Sequence, residues 1–370
     1  MKILIAYVAA GAGHQRAAEA VGAAFHQLGV PHKVTVLNAT EKTDACYQWS
    51  FTRGYVGLIR HFPFLWGFLY HLTDLRFLRK AVQGLHRISN RWHGKPFEDY
   101  LLEARPDLFI GTHFFSAEVA AAVKSRHHLP MRVVTVITDY LPHILWLAPG
   151  VDTYVVASDE TKEAFLRRGI PGNQIEVLGI PIDPKFNQRI SRPLLAKKLG
   201  IDPDRFTILI GSGGLGTGPI VSLVEALAEV IEPIQLLVVA GKNSALFEHL
   251  ENMRCSVLHP MKIYGFINNM DELMEVSDVM VSKPGGLTCA EAMAKGLPLI
   301  VVAPIPGQET RNMRFLQELG LAVFAPDVKT VPRLIREFIA DPQQLRAISQ
   351  NTREKSFPEA AVHVAQLGLR

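Results

Sequence analysis

The sequence predicts an α/β protein built from two Rossmann-like domains. Three observations carry this. First, a strand runs into a glycine turn at Lys2–Gly13, again at Phe206–Gly216, and again at Val279–Gly286, with a helix after the first and third. Second, the other apolar runs are short and end in polar residues, the pattern of parallel strands buried on both faces with chemistry at their carboxyl ends. Third, 370 residues with 48% hydrophobic and 20% charged content supply two cores of ordinary size.

The first strand is Lys2 to Val8, the turn Ala9 to Gly13, and the helix Gln15 to Leu28. Gly11-Ala-Gly13 is two-thirds of a dinucleotide fingerprint, but Arg16 holds the third glycine position. The next strand, Val34 to Leu37, ends in Asn38 where a ribose-binding acid would stand, so a dehydrogenase reading is weak. His14 begins the helix on the ligand side of this unit. An imidazole titrating near neutrality can take a proton from an attacking hydroxyl there, or simply hydrogen-bond a backbone group.

Cys46 to Lys95 is rich in aromatic and basic residues, among them Arg53, Tyr55, Arg60, Phe64, Trp66 and Phe68, and Asp74 is its one acid. Aromatics partition to bilayer interfaces and basic side chains to anionic headgroups. Pro63 interrupts the stretch and no apolar run is long enough to span a membrane. It reads as a surface that docks on an anionic membrane and admits a lipid acceptor, with an aromatic helical pair packed on the domain core or a homodimer contact as the alternative.

Further strands are Pro106 to Thr112 with His113 at its end, and Arg132 to Ile137 followed by Thr138, Asp139, His143 and Trp146. These polar ends share one crevice with His14 if the sheet is parallel; Asp139 would orient or share the base, or cap a turn. Val151 to Ala157, a helix from Glu160 to Arg168, and Ile175 to Leu178 complete the half. Gly179-Ile-Pro-Ile-Asp-Pro184 is a proline-punctuated hinge, giving domains 1–184 and 185–356.

In the second half, Phe206 to Ile210 leads into Gly211-Ser-Gly-Gly-Leu-Gly216, which matches G-x-G-x-x-G. The next strand, Gln235 to Ala240, ends in Gly241-Lys242-Asn243 without an acid, which argues against NAD. Tyr264-Gly-Phe-Ile-Asn-Asn269 is a strand-end loop, and Asp271 to Glu275 opens a helix. Then come the strand Val279 to Val281, the turn Pro284-Gly285-Gly286, the helix Leu287 to Lys295 and the strand Leu299 to Val302. Two glycines before a helix N-terminus make a phosphate seat, because no Cβ stands between bare amides and the ligand. Glu291, about one turn inside, would reach a ribose diol or lie at the surface. Pro304 to Asn312 adds Gln308, Glu309 and Asn312, and Phe357 to Gly368 is an Ala- and Val-rich closing helix.

A formal charge of +4 and a pI near 8.9, with no recognition motif, point away from nucleic acid. Cys46, Cys255 and Cys289 have no metal or redox spacing and fit a reducing cytosol; Cys289 reads as a small residue packed under the phosphate loop. There is no signal-peptide pattern, and no Asp-x-Asp to hold a metal.

Lys283-Pro-Gly-Gly-Leu-Thr288 and Pro306-Gly-Gln-Glu309 resemble the GT-B glycosyltransferases that make galactosyl- and glucosyl-diacylglycerol, the monogalactosyldiacylglycerol synthase and processive diacylglycerol glucosyltransferase family. These are related to the transferase that adds N-acetylglucosamine to the peptidoglycan lipid precursor. The resemblance continues at Gly11-Ala-Gly-His14, Gly111-Thr-His113, Thr138-Asp139 with His143 and Trp146, and Gly211-Ser-Gly-Gly214, and so covers nearly the whole chain.

It implies a GT-B fold, two Rossmann-like domains facing a cleft, with residues 357–370 returning to the first. It implies inverting transfer of glucose or galactose from a UDP-hexose to diacylglycerol, with His14, alone or with Asp139, as the base. Gly213, Gly214, Gly285 and Gly286 would take the diphosphate, and the backbone at Gly265 and Phe266 the uracil. Asn243, Thr288, Glu291, Gln308, Glu309 and Asn312 complete the donor side; Arg53, Tyr55, Trp66, His113, His143 and Trp146 line the acceptor and membrane side. The UDP-sugar is a substrate, and no cofactor or metal is expected. The enzyme would work in the cytoplasm, peripheral on the inner face of the cell membrane. Transfer to a polyprenyl-linked acceptor, a UDP-sugar epimerase and a non-catalytic sensor are the alternatives.

Overall fold

The computed structural model describes every residue except 10, 30–32, 51–53, 142, 215, 217 and 255–256, and the side chains of 55, 56, 60, 76, 79 and 80. Arg53 and Cys255, and the side chains of Tyr55 and Arg60, therefore lie outside the described residues. The chain divides into two compact units. The first comprises Met1–Pro184, Ile305–Arg311 and Pro358–Arg370; the second comprises Lys185–Pro304 and Asn312–Phe357.

The first unit holds a parallel six-stranded sheet in the order β2-β1-β3-β4-β5-β6. Its strands are β1 (Lys2–Tyr7), β2 (Lys33–Asn38), β3 (Leu108–Gly111), β4 (Arg132–Val136), β5 (Thr153–Val156) and β6 (Ile175–Val177). Leu4 and Ala6 of β1 enter the core on one face with Phe109, Phe115, Val133 and Phe165. Ile3 and Ile5 enter the core on the other with Phe25, Val134, Val155 and Val364. A strand buried on both sides reads as an unbroken apolar run, which is why these strands are legible in the sequence. The helix Ala360–Leu369 packs on the helix Ala12–Gln27. A methyl group at Gly368 would lie 2.7 Å from Leu108 and 3.0 Å from Phe25, so close approach of this helix needs glycine.

The second unit has the parallel order β12-β11-β10-β7-β8-β9. Its strands are β7 (Phe206–Gly211), β8 (Ile234–Val239), β9 (Met261–Tyr264), β10 (Val279–Ser282), β11 (Leu299–Val301) and β12 (Ala322–Phe324). In each sheet the winding reverses once, between β1 and β3 and between β7 and β10. The crevice at the carboxyl ends of two such strands is where open parallel sheets bind ligands.

The aromatic stretch is a run of helices, including Tyr55–His61, Pro63–Thr73 and Arg79–His93. One feature departs from the sequence expectation. Residues 305–311, expected with the second domain, belong to the first unit, because Pro306 packs on Gly67, Gly307 on Tyr70, and Arg311 pairs with Asp74.

Candidate active site

At the β1/β3 reversal the chain places His14 in the first turn of the Ala12–Gln27 helix and Thr112 directly after β3. His14 Nδ1 lies 2.9 Å from the Thr112 carbonyl and 2.9 Å from the Thr138 hydroxyl oxygen. A carbonyl can only accept, so Nδ1 carries the proton and Nε2 keeps its lone pair. Thr112 returns its own hydroxyl to the His14 carbonyl at 2.9 Å, which locks the pair. The half-buried ring stands edge-on to His113, centroids 4.8 Å apart, with Trp146 at 6.3 Å. Burial lowers the imidazole to about 4, against the opposing pull of the Thr112 carbonyl. His14 is thus a neutral base with one available nitrogen.

Asp139 is buried in the same unit, accepting from the Trp146 indole N–H at 3.3 Å and from the Gln308 amide. Burial raises its carboxyl to about 6, while the Gln308 and Trp146 hydrogen bonds and the Arg311 charge pull the other way. Orientation of His14 comes from Thr112 and Thr138 instead of Asp139. The sequence reading passed over Thr112, since the orienting atom is a backbone oxygen that any residue would supply.

This carboxyl yields a stability prediction. Below pH 3.8 both folded and unfolded chains hold the proton; between 3.8 and about 6 the folded chain holds it more strongly, so stability falls as pH rises through that window. Asp139→Asn removes the penalty. It is expected to match wild type near pH 4 and to exceed it by about 1–3 kcal/mol above pH 6. Melting curves at the two pH values check this; equal differences at both would refute it.

The remaining acceptor-side residues have structural partners. His113 caps the helix Phe114–His127, its Nδ1 accepting the Phe115 N–H at 3.2 Å. Burial and the neighbouring His14 hold it well below the usual histidine range. His143 accepts the Leu145 N–H at Nδ1 and donates from Nε2 to the Tyr70 carbonyl at 3.0 Å. Trp66 is half-buried, its ring 6.0 Å from that of Tyr70. Around it, Phe62, Phe64, Leu65 and Phe68 face solvent, Phe64 at 85% exposure, as do Leu85, Ile88 and Trp92 of the Arg79–His93 helix. No helix among the described residues is long and apolar enough to cross a membrane.

In the second unit the β7/β10 reversal brings together the Ser212-Gly213-Gly214 turn and the Pro284-Gly285-Gly286 turn. The Gly286–Lys295 helix starts there with its first amides outside the helical ladder. A Cβ at Gly213 would meet nothing within 4 Å, and one at Gly285 only the Thr288 hydroxyl at 3.9 Å, so open space borders both Cα atoms, while the Gly285 N–H itself bonds the Lys283 carbonyl at 3.0 Å. The Ser212 and Ser282 hydroxyls at these strand ends are buried without a hydrogen-bond partner among the described residues. Unsatisfied donors beside bare amides suit an anion.

Glu291 is buried in this helix and is no surface residue. Asn312 braces the turn by donating to the Pro284 carbonyl at 3.1 Å. Asn243 is committed elsewhere, capping the Ser244–Met253 helix through the Leu246 N–H and donating to the Gly216 carbonyl. Thr288 is half-buried in the first turn. Phe266 is half exposed with the Lys242 ammonium 5.1 Å over its ring, and Gly265 beside it leaves open space. Glu309 closes its own turn by accepting the Ile305 N–H at 2.8 Å, and with Gln308 it sits in the first unit.

Two Rossmann-like units in one chain, each with polar groups gathered at its sheet reversal, are the architecture of the GT-B fold. MurG of Acinetobacter baumannii superposes with a TM-score of 0.63 at 16% identity, covering 99% of this chain and 98% of its own. Residues 14–182 match the family model for monogalactosyldiacylglycerol (MGDG) synthase, and 207–364 that for the glycosyltransferase family 28 C-terminal domain. The chain belongs to the monogalactosyldiacylglycerol synthase family. Monogalactosyldiacylglycerol synthase 2 of Arabidopsis thaliana is 30% identical over 98% of this chain and 79% of its own length. A processive diacylglycerol beta-glucosyltransferase of Bacillus subtilis is 29% identical over 95% and 91%.

Proposed function

We propose that this protein moves a hexose from a UDP-sugar to the free hydroxyl of diacylglycerol with inversion, working peripherally on the inner face of the cell membrane. The observation that carries the reading is His14, a neutral imidazole whose bare Nε2 is fixed by its bond to the Thr112 carbonyl. Nε2 takes the acceptor proton as the oxygen attacks the anomeric carbon. The bond from that carbon to the β-phosphate oxygen breaks on the opposite face, and UDP departs. Amides at Gly213, Gly214 and Gly286 meet the growing charge, with the Ser282 hydroxyl within the same seat; Gly285, whose N–H bonds the Lys283 carbonyl, keeps the approach free of a side chain. Backbone at Gly265 and Phe266 receives the uracil, and Glu291 and Thr288 the sugar or ribose. No cofactor enters this scheme, and no metal is assigned to it. The full-length relatives are named for diacylglycerol, so a polyprenyl acceptor and an epimerase are not favoured.

The test is direct. Purified protein with chelator, diacylglycerol in mixed micelles, and labelled UDP-glucose or UDP-galactose should put label into the organic phase with one donor. No lipid-soluble label with either donor overturns the reading.

The exposed Phe64 and Phe68 are the proposed insertion points, with the basic Arg79–His93 helix following in the chain. Burying each aromatic contributes roughly 1.5–3 kcal/mol. The Phe64→Ser/Phe68→Ser variant should therefore sediment with anionic vesicles at least about tenfold less well. Unchanged sedimentation would sink membrane docking, and concentration-dependent association lost in the same variant would assign the face to a homodimer.

A further inference from the structure

We infer that Asp74 is a positioning residue for the acid–base site, fastening the apolar Pro63–Thr73 helix to the two segments that carry Asp139 and its Gln308 partner. Three separate parts of the first unit aim donors at this one carboxylate. The Ile144 N–H, in the loop after Asp139, reaches it at 2.8 Å. The Arg168 guanidinium lies at 3.2 Å and that of Arg311 at 2.6 Å. All three charged side chains are largely withdrawn from water, Asp74 at 10% and Arg311 at 16% exposure. Arg311 also lies over the Tyr70 ring, 4.9 Å from its centroid.

Packing makes the same connection. A methyl group at Gly67 would come 2.5 Å from Pro306, and one at Gly307, whose φ is +105°, would come 2.9 Å from Tyr70. Two glycines, one on each side, thus let residues 305–311 lie against the helix. Gln308 stands between Gly307 and Arg311 and donates to Asp139. Its amide reaches that carboxylate only if the segment stays seated, and Arg311 on Asp74 is the seat's charged fastening. Removing the Asp74 charge takes away the carboxylate that these two sequestered guanidiniums share and weakens the seat. The Pro63–Thr73 helix that exposes Phe64 and Phe68 therefore ends on the same carboxylate that holds the loop after Asp139.

This inference rests on the reading in which His14 is the base and Asp139 acts with it, so the experiment includes both. Steady-state kinetics in mixed micelles are measured for Asp74→Asn, Gln308→Ala, the double variant, His14→Ala and Asp139→Asn, with a melting curve for each. Asp74→Asn is expected to lower kcat about tenfold while KM for diacylglycerol changes less than about twofold. A residue that merely held the lipid-facing helix would move that KM instead. In the Gln308→Ala background Asp74→Asn should add little, because both act through one contact. Wild-type kcat in Asp74→Asn, or losses that multiply in the double variant, overturns the inference. If Asp74→Asn does not melt cooperatively, Arg311→Gln takes its place in the cycle with the same expectation. Losses in His14→Ala and Asp139→Asn without one in Asp74→Asn defeat this inference alone; wild-type kcat in those two defeats it together with the site it rests on.

Discussion

His14→Ala is expected to lower kcat by about 10²–10⁴-fold, the range that a positioned general base supplies. The reason is tautomeric. The Thr112 carbonyl at 2.9 Å forces the proton onto Nδ1, so Nε2 is a lone pair at every pH at which the ring is neutral. Burial brings the imidazole down to about 4, so His14 stays competent far into the acid range. The acid limb of the wild-type rate should accordingly lie below the ordinary histidine range. An Asp139 requirement would place it near 6, since that carboxyl is raised to about 6 and activity is lost as it protonates. A pH–rate profile of wild type and Asp139→Asn separates the two, because the limb moves toward 4 only if Asp139 set it. UDP binding should be unchanged in His14→Ala. A kcat within threefold of wild type would remove His14 from the chemistry.

Gly285→Val should abolish productive donor binding while leaving the fold intact. Gly285 has φ −65° and ψ 137°, ordinary extended backbone for any residue. Its Cβ would meet only the Thr288 hydroxyl at 3.9 Å. Nothing inside the protein therefore requires glycine, and the open space outside is the reason to omit a side chain. Gly216 is the opposite case: its φ is +58° and a Cβ would collide with the Ala240 carbonyl, so substitution there damages the loop itself. A valine at 285 would hold a phosphate away from the amides of the Gly286–Lys295 helix. Hydrogen bonds to charged groups contribute about 1.5–3 kcal/mol each, so losing two weakens UDP binding by about 10²–10⁴-fold. Calorimetric titration with UDP checks this alongside a melting curve. A Kd within threefold of wild type would take the phosphate seat away from this turn.

Both residues were legible in the sequence, and the reasons are local. Strands β1, β3, β7 and β10 are buried on both faces, so their apolar runs stand out, and each ends at a turn whose chemistry shows in its residue types. His14 and the Gly285-Gly286 pair are read from position after a strand, which needs no knowledge of the rest of the chain.

What surrounds them was not legible. The Asp74 partners lie 94 residues away at Arg168 and 237 away at Arg311, and no periodicity ties such residues together. Gln308 read as a donor contact because it follows β11; its bond to Asp139 depends on two glycines that let residues 305–311 settle in the first unit. Asn243 read as a ligand contact at a strand end, whereas the helix after it takes its side chain as a cap.

The amino-acid sequence alone determined the buried strands of the two domains, the turns at their carboxyl ends, and the chemical groups that stand there, because burial pattern and turn chemistry are properties of neighbouring residues. Only the tertiary structure decided which nitrogen of His14 is free, what holds Asp139 and where residues 305–311 belong. Those answers rest on single polar contacts between distant segments, whose geometry exists only once the chain has folded.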